Sequence, residues 1–463
     1  KTLYLPDPDE TETDEPARVA RYTTYLMRAV FYGVTGRTLR GYVGLVFDKE
    51  PAAEIPPLIE VIEQDATGSG TTLAQQAQSA LGDVVALGRA GLFTDYPKTQ
   101  APTTRKDAIE GNVRPTIILY KPEQVINWRT RTVGAKVLLS LVVIKESYVV
   151  DDDGFAEIEG TMHRVLRLDE NGIYQVELYR DIAGKDQPEF ETFTPKDGKG
   201  LPFREIPFSF IGAEDNDPGI DRPPMLDIAE LNLAHYRNSA DHEESIFVVG
   251  QPTPVFAGLT KQWVDDVFKG KVRFGSRRAV PLPVNGTAEL LQMQPNAAAF
   301  EGMEHKEKQM IALGAKLLEN TGTEMTATEA TQDNVMDNSV LGTCARNVSQ
   351  AYRKCLNWAY QYATGEIVDD PELIDYELNT DFSARTMTAQ DRAQVVSEWQ
   401  NNAITFEEMR WNLKRAGTAY LDDDEAKDAI ASEKEAKIEM ETMAAGALAE
   451  ATGALERPAP GQE

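Results

Sequence analysis

Apolar residues recur at intervals of three and four along several stretches of this chain and alternate with polar residues along others. The helical spacing predicts helices over residues 17–44 and 73–91. Residues 116–210 alternate instead, with Asn171–Gly172 as the turn of a hairpin, so this stretch predicts β-structure. The first sixteen residues are acidic and interrupted by proline, which predicts an extended arm.

The clearest succession of predicted elements begins at Asp221. Asp221 is the predicted N-cap of a helix, and the prolines after it suit the first helical turn. This helix is predicted to end before Gly250. Gly and Pro turns then separate four predicted short strands, at residues 253–259, 272–275, 279–283 and 289–293.

Helical spacing returns after this insert. A second helix is predicted over residues 297–318 and a polar stretch over 319–325. A capping box at Thr326 and Glu329 then predicts a helix of roughly 35 residues that ends at Thr364. Three further helices are predicted near the C-terminus, at residues 388–401, 405–416 and 425–448.

Composition adds a strong charge to this picture. A length of 463 residues predicts two to four packed units, and a hydrophobic content of 41% predicts that most of the chain folds. The net charge is −28. Such a chain should repel a phosphate backbone over most of its surface, which fits passage of DNA without adhesion and equally fits plain solubility. No run of about 20 apolar residues and no basic segment before an apolar run occur, so neither a membrane span nor a secretory signal is predicted.

Residues that could carry chemistry are few. Cys344 and Cys355 lie about 16 Å apart on one predicted helix, which predicts two buried free thiols and a reducing compartment. His235 and His242 lie about 10 Å apart on another helix, too far to share a metal ion. The stretch 68–72 has neither the spacing nor the lysine of a phosphate loop. The sequence therefore predicts no enzyme, no metal and no cofactor.

Several segments share their order and spacing with a known family. They read PPMLDIAELNLAHYRNSADHEESIFVVGQPTP, RAVPLPVNGTAELLQMQPN, and MIALGAKLLEN followed by MTATEA, with YKPEQVINW upstream and TMTAQDRAQVVSEWQNNAITFEEM downstream. In this order they resemble tailed-bacteriophage portal proteins, in a branch known only as a phage-associated domain of unknown function. The resemblance extends from about residue 37 to residue 416.

The resemblance implies an α+β, portal-like fold with helical stem rods, a small β-rich clip, an α/β wing and a helical crown. Its parts are residues 1–220 (N-terminal arm and wing), 221–249 (first stem helix), 250–296 (clip), 297–318 (second stem helix), 319–328 (tunnel loop), 329–385 (long wing helix and return) and 386–463 (crown and C-terminal tail).

The resemblance also implies a function. Portal subunits form a homo-oligomeric ring, typically of twelve, at one capsid vertex of the virion, and assemble in the host cytoplasm. Double-stranded DNA passes through the ring during packaging and ejection without sequence-specific binding. The implied partners are a terminase motor, a head–tail adaptor and the major capsid protein, with no membrane.

Two groups of residues are the expected sites. The tunnel loop would face DNA with Glu319, Asn320, Thr321, Gly322, Thr323, Glu324 and Met325. The densest basic cluster of the chain lies in the clip and would suit an acidic protein partner; it consists of Lys269, Lys271, Arg273, Arg277 and Arg278.

Two other functions compete with this hypothesis. Another virion structural protein, such as a head–tail connector or minor capsid component, would share the composition and the acidity, but the order of rod, insert and rod favours a portal. A hydrolase or nuclease that uses some of the 75 acidic residues would require carboxylates to converge in space, and divalent-metal-dependent cleavage of nucleic acid would support it.

Overall fold

The computed structural model of the chain describes residues 2–96, 113–152, 154–181, 189–251, 253–268, 281–291, 297–316, 339–368, 370–380, 382, 389–401, 403–415, 418–434 and 437. The chain forms two compact units, Lys1–Thr380 and Asp381–Glu463. The first unit combines helices with antiparallel sheets, so the fold class is α+β, as predicted. Within the described ranges, no helix has the length and apolarity needed to span a bilayer.

The N-terminal region differs from its prediction in two ways. Helices α1 (Glu15–Arg28) and α2 (Val34–Val46) replace the single helix predicted over 17–44, because the backbone leaves the helical conformation at Ala29, where ψ is 123°. The residues before α1 are not an extended arm, since Leu5 is fully buried and its carbonyl accepts a hydrogen bond from the Tyr22 hydroxyl at 2.6 Å. Arg237 also donates to the Tyr4 carbonyl at 3.2 Å, so apolar and polar contacts together hold this acidic segment against the helices.

A short helix, α3 (Val61–Gln64), precedes α4 (Leu73–Leu87). Thr72 and Gln75 form a capping box at the start of α4, and Gly88 ends it in the left-handed region with φ of 77°. The helix predicted over 73–91 therefore overruns the real one, because the chain turns at Gly88 and continues directly as a strand.

Two antiparallel sheets follow. The first has the order β3-β2-β9, and the second is a meander of five strands that pair in chain order, β4-β5-β6-β7-β8. The hairpin predicted at Asn171–Gly172 is confirmed, with Gly172 at φ of 74° between β6 and β7. The strands are β2 (Arg89–Asp95), β3 (Thr116–Tyr120), β4 (Val125–Val133), β5 (Lys136–Asp152), β6 (Glu157–Leu168), β7 (Tyr174–Arg180), β8 (Glu189–Phe193) and β9 (Phe208–Gly212).

Three long helices, two small ribbons and the short helical segments Pro122–Gln124, Lys261–Trp263 and Val264–Phe268 complete the described part of the unit. The helices are α5 (Leu226–Val249), α6 (Ala297–Lys316) and α7 (Val340–Thr364). One ribbon pairs β1 (Ala52–Glu54) with β12 (Asp375–Glu377), and the other pairs β10 (Thr253–Ala257) with β11 (Thr287–Leu291).

The helix predicted from Thr326 to Thr364 is not continuous, because the backbone is extended at Ser339. Helix α7 begins at Val340, because Ser339 is extended (φ −69°, ψ 155°) and its hydroxyl accepts the Gly342 N–H at 3.0 Å. Ser339 is therefore the N-cap, and the capping box predicted at Thr326 and Glu329 lies outside the described residues. The observed helix of 25 residues is about 37 Å long.

Helix α7 is the centre of the core. It packs on α4 and on the sheet that contains β2 and β9. Buried polar groups fix its position: Tyr352 hydrogen-bonds Gln76 at 3.1 Å, and the Asn347 amide donates to the Gly212 carbonyl at 2.9 Å. Cys344 and Cys355 are both buried and free, as predicted.

A buried charge network joins the two sheets. Arg164 on β6 donates to Asp95 on β2 at 2.9 Å and to both carboxylate oxygens of Glu146 on β5 at 3.1 Å. Tyr120 on β3 donates its hydroxyl to Glu146. Burial raises the pKa of Asp95, and the opposing attraction of Arg164 only partly offsets it.

The second unit contains α8 (Ala389–Gln400), α9 (Phe406–Arg415) and a helix over residues 423–434. Thr405 and Glu408 form a capping box for α9, with hydrogen bonds of 2.7 and 3.2 Å. The helices predicted over 388–401 and 405–416 are present within the described residues.

Candidate functional site

Helices α5 and α6 form a pair of antiparallel rods, about 36 and 30 Å long. The antiparallel direction follows from their contacts, since His235 lies 3.1 Å from Glu307 and the His242 ring lies 5.6 Å from that of Phe300. The rods approach closely at Gly302, where a Cβ would lie only 2.7 Å from the side-chain amide of Asn238. This pair is the candidate functional site, and the rods are the two helices predicted there.

The start of α5 differs in detail from its prediction. Met225 is the N-cap, and Asp221 instead accepts the N–H of Glu214 at 2.8 Å. The helix ends before Gly250, as predicted.

One end of the rod pair is anchored in the core. Met225 is buried and donates its N–H to the Val85 carbonyl of α4 at 3.3 Å. Near the C-terminal end of α6, the Tyr42 hydroxyl of α2 donates to the Gly314 carbonyl. Both rods therefore rise from the same part of the core.

Helix α1 packs along α5. Leu5, Tyr25 and Ala29 pack with Tyr236 and Ala240 into one cluster. Polar contacts frame this cluster: the Tyr25 hydroxyl donates to Asp241 at 3.0 Å, and Arg28 pairs with Glu244 while lying 3.9 Å from the centre of the Phe247 ring. The buried Asn232 of α5 also accepts the Thr35 N–H at 3.1 Å, which fixes the junction between α1 and α2.

The other end of the rod pair carries the ribbon of β10 and β11. Every residue of β11 is exposed, including Leu290 (68%) and Leu291 (66%), and Val284 just before it is fully exposed. A ribbon of two strands is marginally stable in water when it stands alone. The chain thus presents apolar surface at this end that another polypeptide could cover.

The predicted site residues of the tunnel loop, from Glu319 to Met325, lie outside the described residues. The same holds for the basic cluster of the clip, Lys269, Lys271, Arg273, Arg277 and Arg278, and for the strand predicted at 272–275. Residues 281–283 are described and are not in a strand, so the prediction of a strand over 279–283 is wrong there. Pro281 and Pro283 lack the N–H groups that a strand would use.

Other candidate groups are engaged in structural contacts. Asp65 accepts the N–H groups of Gly68 and Gly70 at 2.8 and 2.9 Å and pairs with Arg114 at 2.6 Å, so the amides of this glycine loop already hold a carboxylate. Among the described residues, no three His, Cys, Asp or Glu side chains are grouped so that they could hold a metal ion. Sequence reasoning missed the docking of α1 on α5, for which the stripe of Tyr22, Tyr25 and Leu26 was the available signal.

Comparison with known proteins gives one family match and several structural likenesses. Residues 224–363 match the family described as "Domain of unknown function (DUF4055)", which spans both rods, their insert and almost all of α7. This agrees with the domain of unknown function that the sequence resemblance predicted. No curated protein matches the chain in sequence.

Three solved structures are similar over most of the chain. A chain of the "Virion of native gene transfer agent (GTA) particle" has 12% identity and a TM-score of 0.40 over 85% of this chain and 93% of that one. A chain of the "Neck of empty GTA particle" has 13% identity, a TM-score of 0.40 and the same coverage. An HK97 family phage portal protein from Corynebacterium diphtheriae has 8% identity and a TM-score of 0.33, over 77% and 95%. The last belongs to the family that the sequence resembles.

Proposed function

We propose that this chain is a portal subunit, a structural protein that assembles with copies of itself into a ring at one capsid vertex. The observation that carries the proposal is the pair of antiparallel rods, anchored in the core at one end and tipped by an exposed apolar ribbon at the other. The match of residues 224–363 to a single family covers these same elements. The order of segments in the sequence, which resembles portal proteins, supplies the second line of support.

Exposed apolar side chains on α6 and the ribbon are a physical reason for copies of the chain to assemble. Phe300 and Ile311 on α6 are 47% and 72% exposed, and the ribbon adds Leu290 and Leu291. A closed ring requires heterologous contacts, in which one face of each subunit meets a different face of the next. Rods packed side by side around an axis would bury these residues and leave a central channel.

In this proposal the ring is dodecameric and passes double-stranded DNA during packaging and ejection, without sequence-specific binding and without catalysis by the ring. The tunnel loop, residues 319–325, would face DNA. The clip cations, from Lys269 to Arg278, would dock the acidic surface of the terminase motor and later of a head–tail adaptor. Contact with the major capsid protein would place the ring in the virion after assembly in the host cytoplasm.

Electron micrographs and sedimentation velocity of the purified chain test the proposal. The expected result is a ring with a central channel and a single sedimentation coefficient far above that of a 51.3 kDa monomer. A compact monomer at high protein concentration would contradict it. Images of the particle should show one such ring per capsid, whereas several per capsid would indicate a minor capsid component.

The tunnel loop has its own test. Replacing residues 319–325 with a Gly/Ser linker should leave ring formation unchanged and reduce the amount of DNA packaged per particle. Failure of the rings to form would mean that this stretch serves assembly, and normal packaging would remove it from the channel.

A further inference from the structure

The outer face of the five-stranded meander differs in charge from the rest of the chain. Cross-strand pairing places Arg129 of β4 and Arg167 of β6 on either side of Leu141. Lys145 lies four residues beyond Leu141 on β5, and side chains two or four apart on a strand share a face. The three cations therefore lie on one face of the sheet.

Aromatic side chains extend the same face. Lys145 pairs with His163, His163 pairs with Tyr179, and Tyr179 pairs with Phe190 across β5 to β8. The Tyr179 and Phe190 rings are 5.0 Å apart. We call this surface the basic face, defined by Arg129, Lys145, Arg167, Glu177, Tyr179 and Phe190.

The basic face points away from the core. The opposite face of the meander carries Val142, Leu166 and Val176, which are fully buried. On the basic face, by contrast, Phe190 is 53% exposed and the Arg167 side chain is 47% exposed. Arg129 and Lys145 are also exposed.

Its charge is opposite to that of the chain, whose net charge is −28. Glu177 is the carboxylate among the three cations, and it is already engaged, since it pairs with Arg167 at 3.1 Å and accepts the Tyr179 hydroxyl at 3.0 Å. The next carboxylate along β6 on this face, Glu159, pairs with Val149, four residues beyond Lys145 on β5. Arg129 and Lys145 thus remain available to an acidic partner.

We propose that the basic face receives an acidic surface of a neighbouring copy of this chain. The inference rests on the proposed function. It concerns the contact between neighbouring subunits that arranges them head to tail around the ring. If two copies met through the same face, arginine would oppose arginine, and like charges in contact are unfavourable. Contact of the basic face with a different, acidic face of the next copy is favourable, and only such head-to-tail contacts close a ring.

A phosphate backbone fits this face less well than a protein surface does. Three cations would neutralise only about three phosphates, so binding would be weak. The logarithm of the binding constant would fall linearly with the logarithm of the salt concentration, with a slope of about 0.9 per phosphate. The acidic remainder of the chain would oppose that binding further. The Tyr179 and Phe190 pair suits a partner with apolar side chains between its carboxylates.

Charge reversal tests the proposal. Assembly of the full chain should require at least about tenfold more protein in the variant Arg129→Glu/Lys145→Glu, as measured by sedimentation velocity. The matched control is Lys49→Glu/Lys196→Glu, which changes the net charge equally at two exposed lysines elsewhere and should assemble like the wild type. Circular dichroism of each variant checks folding, and Arg129→Gln/Lys145→Gln replaces the reversal if it does not fold.

Salt provides a second readout. Raising sodium chloride from about 0.05 to about 0.5 M should increase the concentration needed for wild-type assembly, because the charges are screened, and should matter less for the glutamine variant. A reversal variant that assembles like the wild type would overturn the inference and leave the proposed function standing. If the reversal variant assembles like the wild type but no longer binds a 20-base-pair duplex, the inference is also overturned, and the basic face binds nucleic acid instead. A wild type that stays monomeric would defeat both proposals.

Discussion

Gly88 and Gly44 lie in very different surroundings. Gly88 ends α4 with φ of 77°, and a Cβ there would lie 2.5 Å from the Asp221 carbonyl oxygen and 3.1 Å from the Pro223 nitrogen. Gly44 lies within α2, where a Cβ would meet no atom within 4 Å. The first glycine is required by geometry, while the second only adds conformational freedom to the unfolded chain.

Gly88→Ala is therefore expected to lower the free energy of unfolding by about 2–4 kcal/mol, through backbone strain and a clash with backbone atoms that cannot move aside. Gly44→Ala is the matched control and should raise it by up to about 1 kcal/mol, because alanine favours the helix. Urea unfolding followed by circular dichroism measures both. Similar effects for the two variants would contradict the described turn at Gly88.

Burial controls the chemistry of the two thiols. It raises the pKa of Cys344 and of Cys355 to about 12, because the charged thiolate is poorly solvated in the core. In the folded chain both should resist iodoacetamide at about pH 8, where only the unfolded thiols, with pKa near 8.5, are partly ionised. Mass spectrometry after labelling with and without urea checks this, and rapid labelling of the native chain would contradict the burial.

The raised pKa of the two thiols also makes the free energy of unfolding depend on pH. Since the folded pKa of each thiol is raised, its contribution to the free energy of unfolding is complete below about pH 8.5 and is lost as the pH rises towards about 12. The chain should therefore be less stable in alkaline solution.

Single residues were predictable where their chemistry is local. The Asn171–Gly172 turn and the burial of both cysteines follow from short-range pattern alone. Asp221 was assigned the wrong role, because its carboxylate bonds the backbone of Glu214, a partner that helix-capping rules do not consider. Leu5 was likewise missed, since one apolar residue in an acidic segment has no period.

At the scale of elements, the network around Arg164 determines how the two sheets sit on each other. Arg164 connects β6 with β2 and β5, and all of its partners are largely shielded from water. A buried carboxylate that loses its cation is strongly unfavourable, whereas an exposed pair contributes little.

Arg164→Met should lower the free energy of unfolding by about 3–5 kcal/mol at pH 7, because Asp95 and Glu146 remain buried without their cation. The pKa of Asp95, already raised by burial, should rise further. A raised carboxyl pKa favours the folded state at low pH, so the loss should shrink as the pH falls towards about 4. Arg167→Met, an exposed position on the same strand, is the control and should cost less than about 1 kcal/mol.

The measurement is urea unfolding of both variants at several pH values. An effect of Arg164→Met that does not depend on pH would mean that lost packing, and not an uncompensated carboxylate, causes the destabilisation.

The elements themselves were largely predictable, but their limits were not. Periodicity predicts both rods and the hairpin meander, because these depend on neighbours in sequence. It does not predict the break between α1 and α2, where Asn232 of a distant helix takes the Thr35 N–H. Nor does it predict the start of α7, which the Ser339 hydroxyl determines.

At the scale of the whole molecule, the ribbon of β10 and β11 is the surface that most needs a partner. Leu290→Glu/Leu291→Glu should abolish or strongly reduce ring formation in micrographs, because two carboxylates would oppose burial between subunits. The free energy of unfolding of the monomer should change little, since both leucines are exposed. Leu201→Glu/Ile220→Glu, at 59% and 72% exposure elsewhere, is the control and should form normal rings.

Rings formed by the ribbon variant as readily as by the wild type would show that this surface stays exposed in the assembly. The prediction of the function depended on the order of segments, which can be read directly from the sequence. The pairing of β2 with β9 could not be predicted, because it depends on which strands distant in sequence become neighbours.

The connectivity of the meander also bears on the order in which the molecule folds. Strands β4 to β8 each pair with the next strand in sequence, whereas Phe93 of β2 must find Phe208 of β9. Local pairing closes short loops and is fast, while distant pairing must first overcome a larger loss of chain entropy. As the polypeptide leaves the ribosome, the meander can fold before α5 is made, and its folding brings β9 close to β2. We expect the slow step of the completed chain to be the packing of α7 against α4 and the sheet that contains β2 and β9.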